Sequence, residues 1–178
     1  MLIDVKELHE RREPLSWDHT FRSEEPSLKS DLYTLSSPVH FRGLATPIAR
    51  QDVRLSGVVA ARIDLVCGRC LKNFQKDIEK SFDLTYVPNE PRRPDEEVAL
   101  SYDELDVGFF NQDRIDLTGV IVEQIVLEVP MKPVCSPECR GLCGQCGADL
   151  NQGSCSCTSE SVDPRLASLA ALRDRLKK

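Results

Sequence analysis

The sequence predicts an α+β protein: an antiparallel β-sheet with a buried helix, followed by a cysteine-rich C-terminal extension and a terminal helix. Three observations predict it. Two adjoining segments, 52–66 and 73–87, alternate apolar and polar residues. One segment, 117–129, is apolar on most of its circumference. Six of the eight cysteines crowd into 135–160, where large apolar residues are few.

Residues 1–36 read as irregular and polar. Pro14, Pro26 and Ser/Glu clusters interrupt any period, and only a short strand start is expected at 2–5. Residues 39–48 carry Val39, Phe41, Leu44 and Ile48 but are broken by Gly43 and Pro47, which predicts an edge or irregular strand. In 52–66, Val53, Leu55, Val59, Ala61, Ile63 and Leu65 fall on odd positions. Asp52, Arg54, Ser56, Arg62 and Asp64 fall on even ones. A period of two buries one face of a strand and wets the other.

In 73–87, Phe74, Ile78, Phe82, Leu84 and Tyr86 share even positions. Positions 74, 78 and 82 also fit a helix stripe, but the alternation from Phe82 to Tyr86 favours a strand. Cys67-Gly68-Arg69-Cys70 then forms the turn of a hairpin. Three prolines make 88–96 a loop, and 98–110 has room for one short strand. Asp116 is placed to cap a helix from Leu117 to about Val129, with a polar strip at Glu123, Gln124 and Glu128. Pro130 and Pro133 stop it. Asp163 caps a last helix, Pro164 suits its first position, and Leu166, Leu169, Leu172 and Leu176 form its apolar stripe.

The cysteines lie at Cys67, Cys70, Cys135, Cys139, Cys143, Cys146, Cys155 and Cys157. A C-x2-C turn lets two sulfurs reach one ion, and zinc takes four such ligands in a tetrahedron. Metal binding supplies on the order of 10 kcal/mol to a structural site, enough to order a segment that has no core of its own. Eight cysteines make two Zn2+ sites. Cys143, Cys146, Cys155 and Cys157 can close one locally, which leaves Cys67, Cys70, Cys135 and Cys139 for a second that ties the hairpin turn to the segment beyond the buried helix. Other partitions are chemically allowed. Gly68, Gly144 and Gly147 are read as keeping the turns unstrained. The chain thus divides into a sheet-and-helix core, 1–134, and a zinc-held extension, 135–178.

Other uses of these thiols fit less well. The N-terminus lacks the charged start and apolar stretch of a secretory signal, so a cytoplasmic location with reduced thiols is expected rather than disulfides. A thioredoxin-like motif needs its first cysteine at a helix start, whereas strand follows Cys70. His9, His19 and His40 lie far from the cysteines and read as surface groups. No Ser/His/Asp array, phosphate-cradling glycine loop or diagnostic carboxylate pair is present, and no small-molecule substrate is expected. No apolar run approaches the roughly 20 residues of a membrane helix.

Net charge is −6 but unevenly spread. From Arg42 to Lys80 there are eight basic and four acidic residues; from Ser81 to Glu128, three basic and twelve acidic. Arg54, Arg62, Arg69 and Lys72, with Arg140 between the cysteines, are candidate phosphate contacts. The blander reading of these charges is a set of solvated strand faces.

Several motifs occur in order: Cys67-Gly-Arg-Cys70-Leu-Lys-Asn-Phe74, Val129-Pro-Met-Lys-Pro-Val-Cys135, Cys139-Arg-Gly-Leu-Cys143-Gly-Gln-Cys146-Gly-Ala-Asp-Leu-Asn151, Cys155-Ser-Cys157 and Asp163-Pro-Arg-Leu166. Together they closely resemble the bacterial YceD family, in its fuller eight-cysteine type. That family is described as needed for accumulation of large-subunit ribosomal RNA. The resemblance implies a non-enzymatic role in assembly of the 50S subunit, through contact with 23S rRNA or a large-subunit ribosomal protein. A zinc-based thiol redox sensor or redox-regulated chaperone is the alternative.

Overall fold

The computed structural model describes residues 1–48, 51–89 and 107–157. The expected terminal helix from Asp163, and most of the expected 88–96 loop, lie outside the described residues. The elements run β1 (Leu2–Asp4), α1 (Val5–Arg11), β2 (Leu15–Phe21), a 3-10 turn (Pro26–Leu28), β3 (Thr34–Leu35), β4 (Val39–Pro47), β5 (Val53–Val66), β6 (Asn73–Pro88), β7 (Val107–Phe110), β8 (Arg114–Asp116) and α2 (Leu117–Glu128). One sheet has the order β2-β4-β5-β6-β7, with β3 also pairing β5, and β1 pairs β8 separately. Among the described residues, all pairings are antiparallel except β6 with β7. The architecture is therefore α+β with a mostly antiparallel sheet. Among the described residues, no helix is long and apolar enough to cross a membrane.

The β5–β6 hairpin is the backbone of the molecule. Its register runs from Val53 opposite Tyr86 to Val66 opposite Asn73. The alternation decides which face is dry: Val53, Leu55, Val59 and Ile63 are fully buried, and Ile78, Phe82 and Tyr86 join them from β6. Helix α2 covers this face with Leu117, Ile121 and Ile125, all fully buried. Each such side chain stabilises the fold by roughly 1.5–3 kcal/mol. The Phe41 and Phe82 rings stack 6.3 Å apart at 10°, on the face where Gly57 has no side chain. A Cβ there would lie 2.7 Å from the Arg42 carbonyl oxygen.

Helix α2 starts where its cap predicts. The Asp116 carboxylate accepts the Thr118 N–H at 3.1 Å and satisfies one of the free amides of the first turn. At the other end, Lys76 Nζ donates to the Glu128 carbonyl at 2.5 Å, a cation on the negative end of the helix.

Four expectations need correction. Residues 1–36 are not irregular: they hold α1, capped by Asp4 through the Glu7 N–H, and β2, which pairs along its length with β4. Because β2 covers it, β4 is an interior strand, and Pro47 is tolerated as its last residue. The strand expected within 98–110 is seen as β7, but it runs parallel to β6. The polar strip of α2 is narrower than expected, since Gln124 is 4% exposed while Leu127 is 69% exposed. Position 124 continues the 117, 120, 121 stripe at helical spacing, and that stripe decides burial.

Candidate metal centres

The hairpin tip and the chain after α2 bring all eight cysteines into two foursomes. Cys67, Cys70, Cys135 and Cys139 form a proximal set, and Cys143, Cys146, Cys155 and Cys157 a distal set. Within each, every sulfur lies within 4.8 Å of the others. All eight are free thiols.

The spacing carries chemical information. Cys67 Sγ lies 3.9 Å from Cys139 Sγ, and Cys70 Sγ lies 3.7 Å from Cys135 Sγ. A disulfide needs about 2.05 Å, so these sulfurs are not bonded. A tetrahedron with metal–sulfur bonds of about 2.3 Å has edges of about 3.8 Å. These two separations match edges of such a tetrahedron, and the donor set fits a borderline-soft divalent ion.

The two C-x2-C turns are the same device built twice. Cys67 N–H donates to the Lys72 carbonyl, and Leu71 N–H donates back to the Cys67 carbonyl, both at 2.9 Å. Cys143 N–H donates to the Ala148 carbonyl at 2.8 Å, and Gly147 N–H returns to Cys143 at 2.9 Å. In both, the residue four beyond the first cysteine is left-handed: Leu71 at φ 58 and Gly147 at φ 72. Of the three glycines expected to relax these turns, Gly147 alone takes the left-handed conformation. The turn demands it at that one position, and the first turn meets the demand with a leucine.

Turn amides also set the thiol chemistry. The Cys70 N–H, with further help from the Cys135 and Arg69 amides, pulls the Cys67 thiol down to about 6 against the opposing effect of burial. The Cys146 and Gln145 amides bring Cys143 to about 6 as well. Cys135 is pushed up to about 12, first by its contact with the Cys139 thiol, and Cys157 to about 12, first by that with Cys146. Four adjacent thiolates are compatible only with a cation among them.

The surroundings brace the foursomes. Gly68 N–H donates to the Pro133 carbonyl at 2.8 Å and Leu142 N–H to the Arg69 carbonyl at 3.0 Å. The Arg69 guanidinium donates to the Pro137 and Cys139 carbonyls at 3.1 and 2.8 Å. Lys72 pairs with Asp149 at 2.6 Å. Arg69 and Lys72 thus serve as cross-braces between the hairpin tip and the extension. Arg54 and Arg62 lie on the open face of the sheet and pair across strands, Arg54 with Asp83 at 2.5 Å and Arg62 with Asp77 at 2.6 Å. Arg140 is exposed, with its backbone N–H donating to Asn151 Oδ1 at 2.7 Å. Asp149 and Asn151 join these contacts, Asp149 through Lys72 and Asn151 through Cys139 Sγ and the Arg140 N–H, and spacing does not reveal them. His19 and His40 are exposed on the sheet, and His9 sits on α1; none belongs to either foursome.

The model of the family described as "Large ribosomal RNA subunit accumulation protein YceD" matches residues 55–173. An uncharacterized protein of Mycobacterium tuberculosis is 32% identical over 122 residues, covering 68% of this chain and 56% of that protein. The Arabidopsis thaliana protein called large ribosomal RNA subunit accumulation protein YCED homolog 1, chloroplastic, is 26% identical over 157 residues, covering 72% of this chain and 46% of that one. The chain spans about half the length of these two relatives. The uncharacterized protein YlbN of Bacillus subtilis is 28% identical over 171 residues, covering 94% of both chains. No solved structure matches.

Proposed function

Because the chain belongs to the YceD family, we propose that it is a non-enzymatic zinc-binding factor of ribosome biogenesis that supports 23S rRNA accumulation and 50S subunit assembly. The observation that carries the zinc reading is the pair of preformed cysteine foursomes, with proximal sulfurs 3.7 and 3.9 Å apart. Each foursome takes one Zn2+, which contributes folding free energy where apolar burial is scarce. The family description and the printed name of the plant relative support the ribosomal role. The expected location is the cytoplasm, where large-subunit precursors are assembled in bacteria. The division into 1–134 and 135–178 belongs to the same reading, with the proximal set straddling the boundary.

The partner is 23S rRNA or a large-subunit ribosomal protein. For direct RNA contact, Arg54, Arg62 and Arg140 are the phosphate ligands. Exposed ion pairs are weak, so Arg54 and Arg62 can exchange aspartate for phosphate. Arg69 and Lys72 contribute positive field near the tip while keeping their bracing contacts.

The test is depletion of the protein in the cell that makes it. The ratio of 23S to 16S rRNA should fall and recover with the full chain. Recovery should fail with Cys70→Ser or Cys146→Ser. An unchanged ratio overturns the reading. A second reading, a thiol redox sensor, is favoured by the exposure of Cys135 and Cys146. It requires the zinc-loaded thiols to react with mild peroxide and release metal, whereas a structural zinc protein keeps its metal.

A further inference from the structure

We propose that the two cysteine foursomes bind metal as a coupled pair, with Asn151 as the positioning residue that links them. The inference rests on the metal-binding reading above and adds to it an interaction between the sites.

The link is a short turn, residues 149–151, lying between the distal C-x2-C and its C-x-C. Its conformation belongs to the distal site: Leu150 N–H donates to the Gly141 carbonyl at 2.9 Å, and Leu142 and Asp149 form a bridge beside the distal turn. Its side chains, however, face the proximal site. Asn151 Nδ2 donates to Cys139 Sγ at 3.6 Å, and to Asp149 Oδ1 at 2.8 Å. Asn151 Oδ1 accepts the Arg140 N–H at 2.7 Å, fixing the chain next to Cys139. Asp149 holds Lys72, two residues beyond Cys70. One turn therefore reaches a proximal sulfur, the backbone beside it, and the hairpin turn that carries the other proximal pair.

Coupling follows from where order comes from. Residues 143–157 contribute no side chain to either buried cluster, so the distal site must supply much of their order. A filled distal site fixes 149–151 and presents the Asn151 amide to Cys139. An N–H···S hydrogen bond holds and aims the ligand sulfur, as outer partners of metal ligands do. With the distal site empty, the turn is free to move and Cys139 loses that donor. Outer partners of metal ligands are worth about 10–100-fold in affinity, so an effect of about tenfold is expected. Linkage makes it reciprocal: the proximal metal tightens the distal site by the same factor.

The test is competition of the full chain against a chelator, using Zn2+ for affinity and Co2+ for its sulfur charge-transfer bands. Cys155→Ser/Cys157→Ser empties the distal site. It should weaken the proximal site about tenfold. Asn151→Asp keeps the acceptor for Arg140 but loses the donor to Cys139. In the intact chain it should weaken the proximal site similarly and shift its Co2+ band to lower energy. Added to the distal double variant, it should cost little more. Asp149→Asn, which loosens the same turn through Lys72, should weaken the proximal site in the same direction and guards against a folding defect peculiar to one variant. Unchanged proximal affinity in Cys155→Ser/Cys157→Ser overturns the coupling. Equal loss from Asn151→Asp in both backgrounds overturns Asn151 as the link. Absence of any Co2+ band overturns the metal reading itself, a result distinct from two full but independent sites.

Discussion

Lys72 Nζ lies 2.6 Å from Asp149 Oδ2, and that carboxylate is only 14% exposed. The pair joins the hairpin turn to the distal loop across a long stretch of sequence. Lys72→Met keeps the aliphatic stem and removes the charge. It should speed amide exchange in 143–157 several-fold and leave the β5–β6 amides protected, because local opening is set by local contacts. Exchange mass spectrometry reads both segments in one experiment.

Zinc stoichiometry separates the two foursomes. Elemental analysis should give about two equivalents for the reduced chain. Cys146→Ser should give about one, with faster exchange confined to 143–157. Cys70→Ser should also give about one, but with faster exchange spreading to the hairpin tip and 129–139. Equal, global unfolding in both variants would contradict two separable sites.

Leu71 occupies the left-handed position that Gly147 fills in the second turn, and the residue is 65% exposed. A non-glycine residue there costs roughly 1–2 kcal/mol, while glycine costs 0.5–1 kcal/mol in the unfolded chain. Leu71→Gly should therefore raise stability by about 0.5–1 kcal/mol in urea unfolding. By contrast, Gly57→Ala places a Cβ against the Arg42 carbonyl and should cost about 1–3 kcal/mol.

Direct RNA contact is tested with Arg54→Gln, Arg62→Gln and Arg140→Gln together, leaving the bracing Arg69 and Lys72 intact. Pull-down of large-subunit precursors should weaken while zinc content stays unchanged. The salt dependence of RNA binding should become less steep by about 0.7–0.9 per phosphate contact removed. Normal enrichment would assign the contact to a ribosomal protein instead.

The open-face ion pairs also give a pH signature. The Arg62 and Arg54 guanidinium groups hold the Asp77 and Asp83 carboxyls below their ordinary value. A carboxyl lowered in the folded state stabilises above its unfolded pKa of about 3.9, and that contribution is lost as pH falls through the lower folded value. Asp77→Asn/Asp83→Asn should flatten acid unfolding at that end and leave the neutral-to-alkaline limb unchanged. High salt should shrink the difference.

Much of this fold can be read from local signals. The long alternation of β5 and β6, the Asp116 cap and the cysteine spacing each express a rule that acts within a few residues. The missed elements lack such signals. Helix α1 is seven residues long and buries just Val5 and Leu8, too few to show a period. The alternation of β2 is interrupted by His19, which sets its ring 4.5 Å from that of Phe21. The interior place of β4 depends on β2, and the parallel β6–β7 pair is a non-local choice. At the candidate metal centres the grouping of the cysteines into two foursomes was legible because it follows their spacing. Asn151 and Asp149 were not, because their role depends on what the chain folds against.

The proximal foursome draws two of its sulfurs from residues made long before the others: Cys70 and its neighbour Cys135 are 65 positions apart. At about 5–20 residues per second of synthesis, the hairpin turn waits roughly 3–13 s for its remaining thiols. During that interval an ion bound at Cys67 and Cys70 would meet only two of the four sulfurs of the foursome. The foursome is complete only after the chain has passed α2, so the order of translation itself makes its assembly a late event in the maturation of the protein.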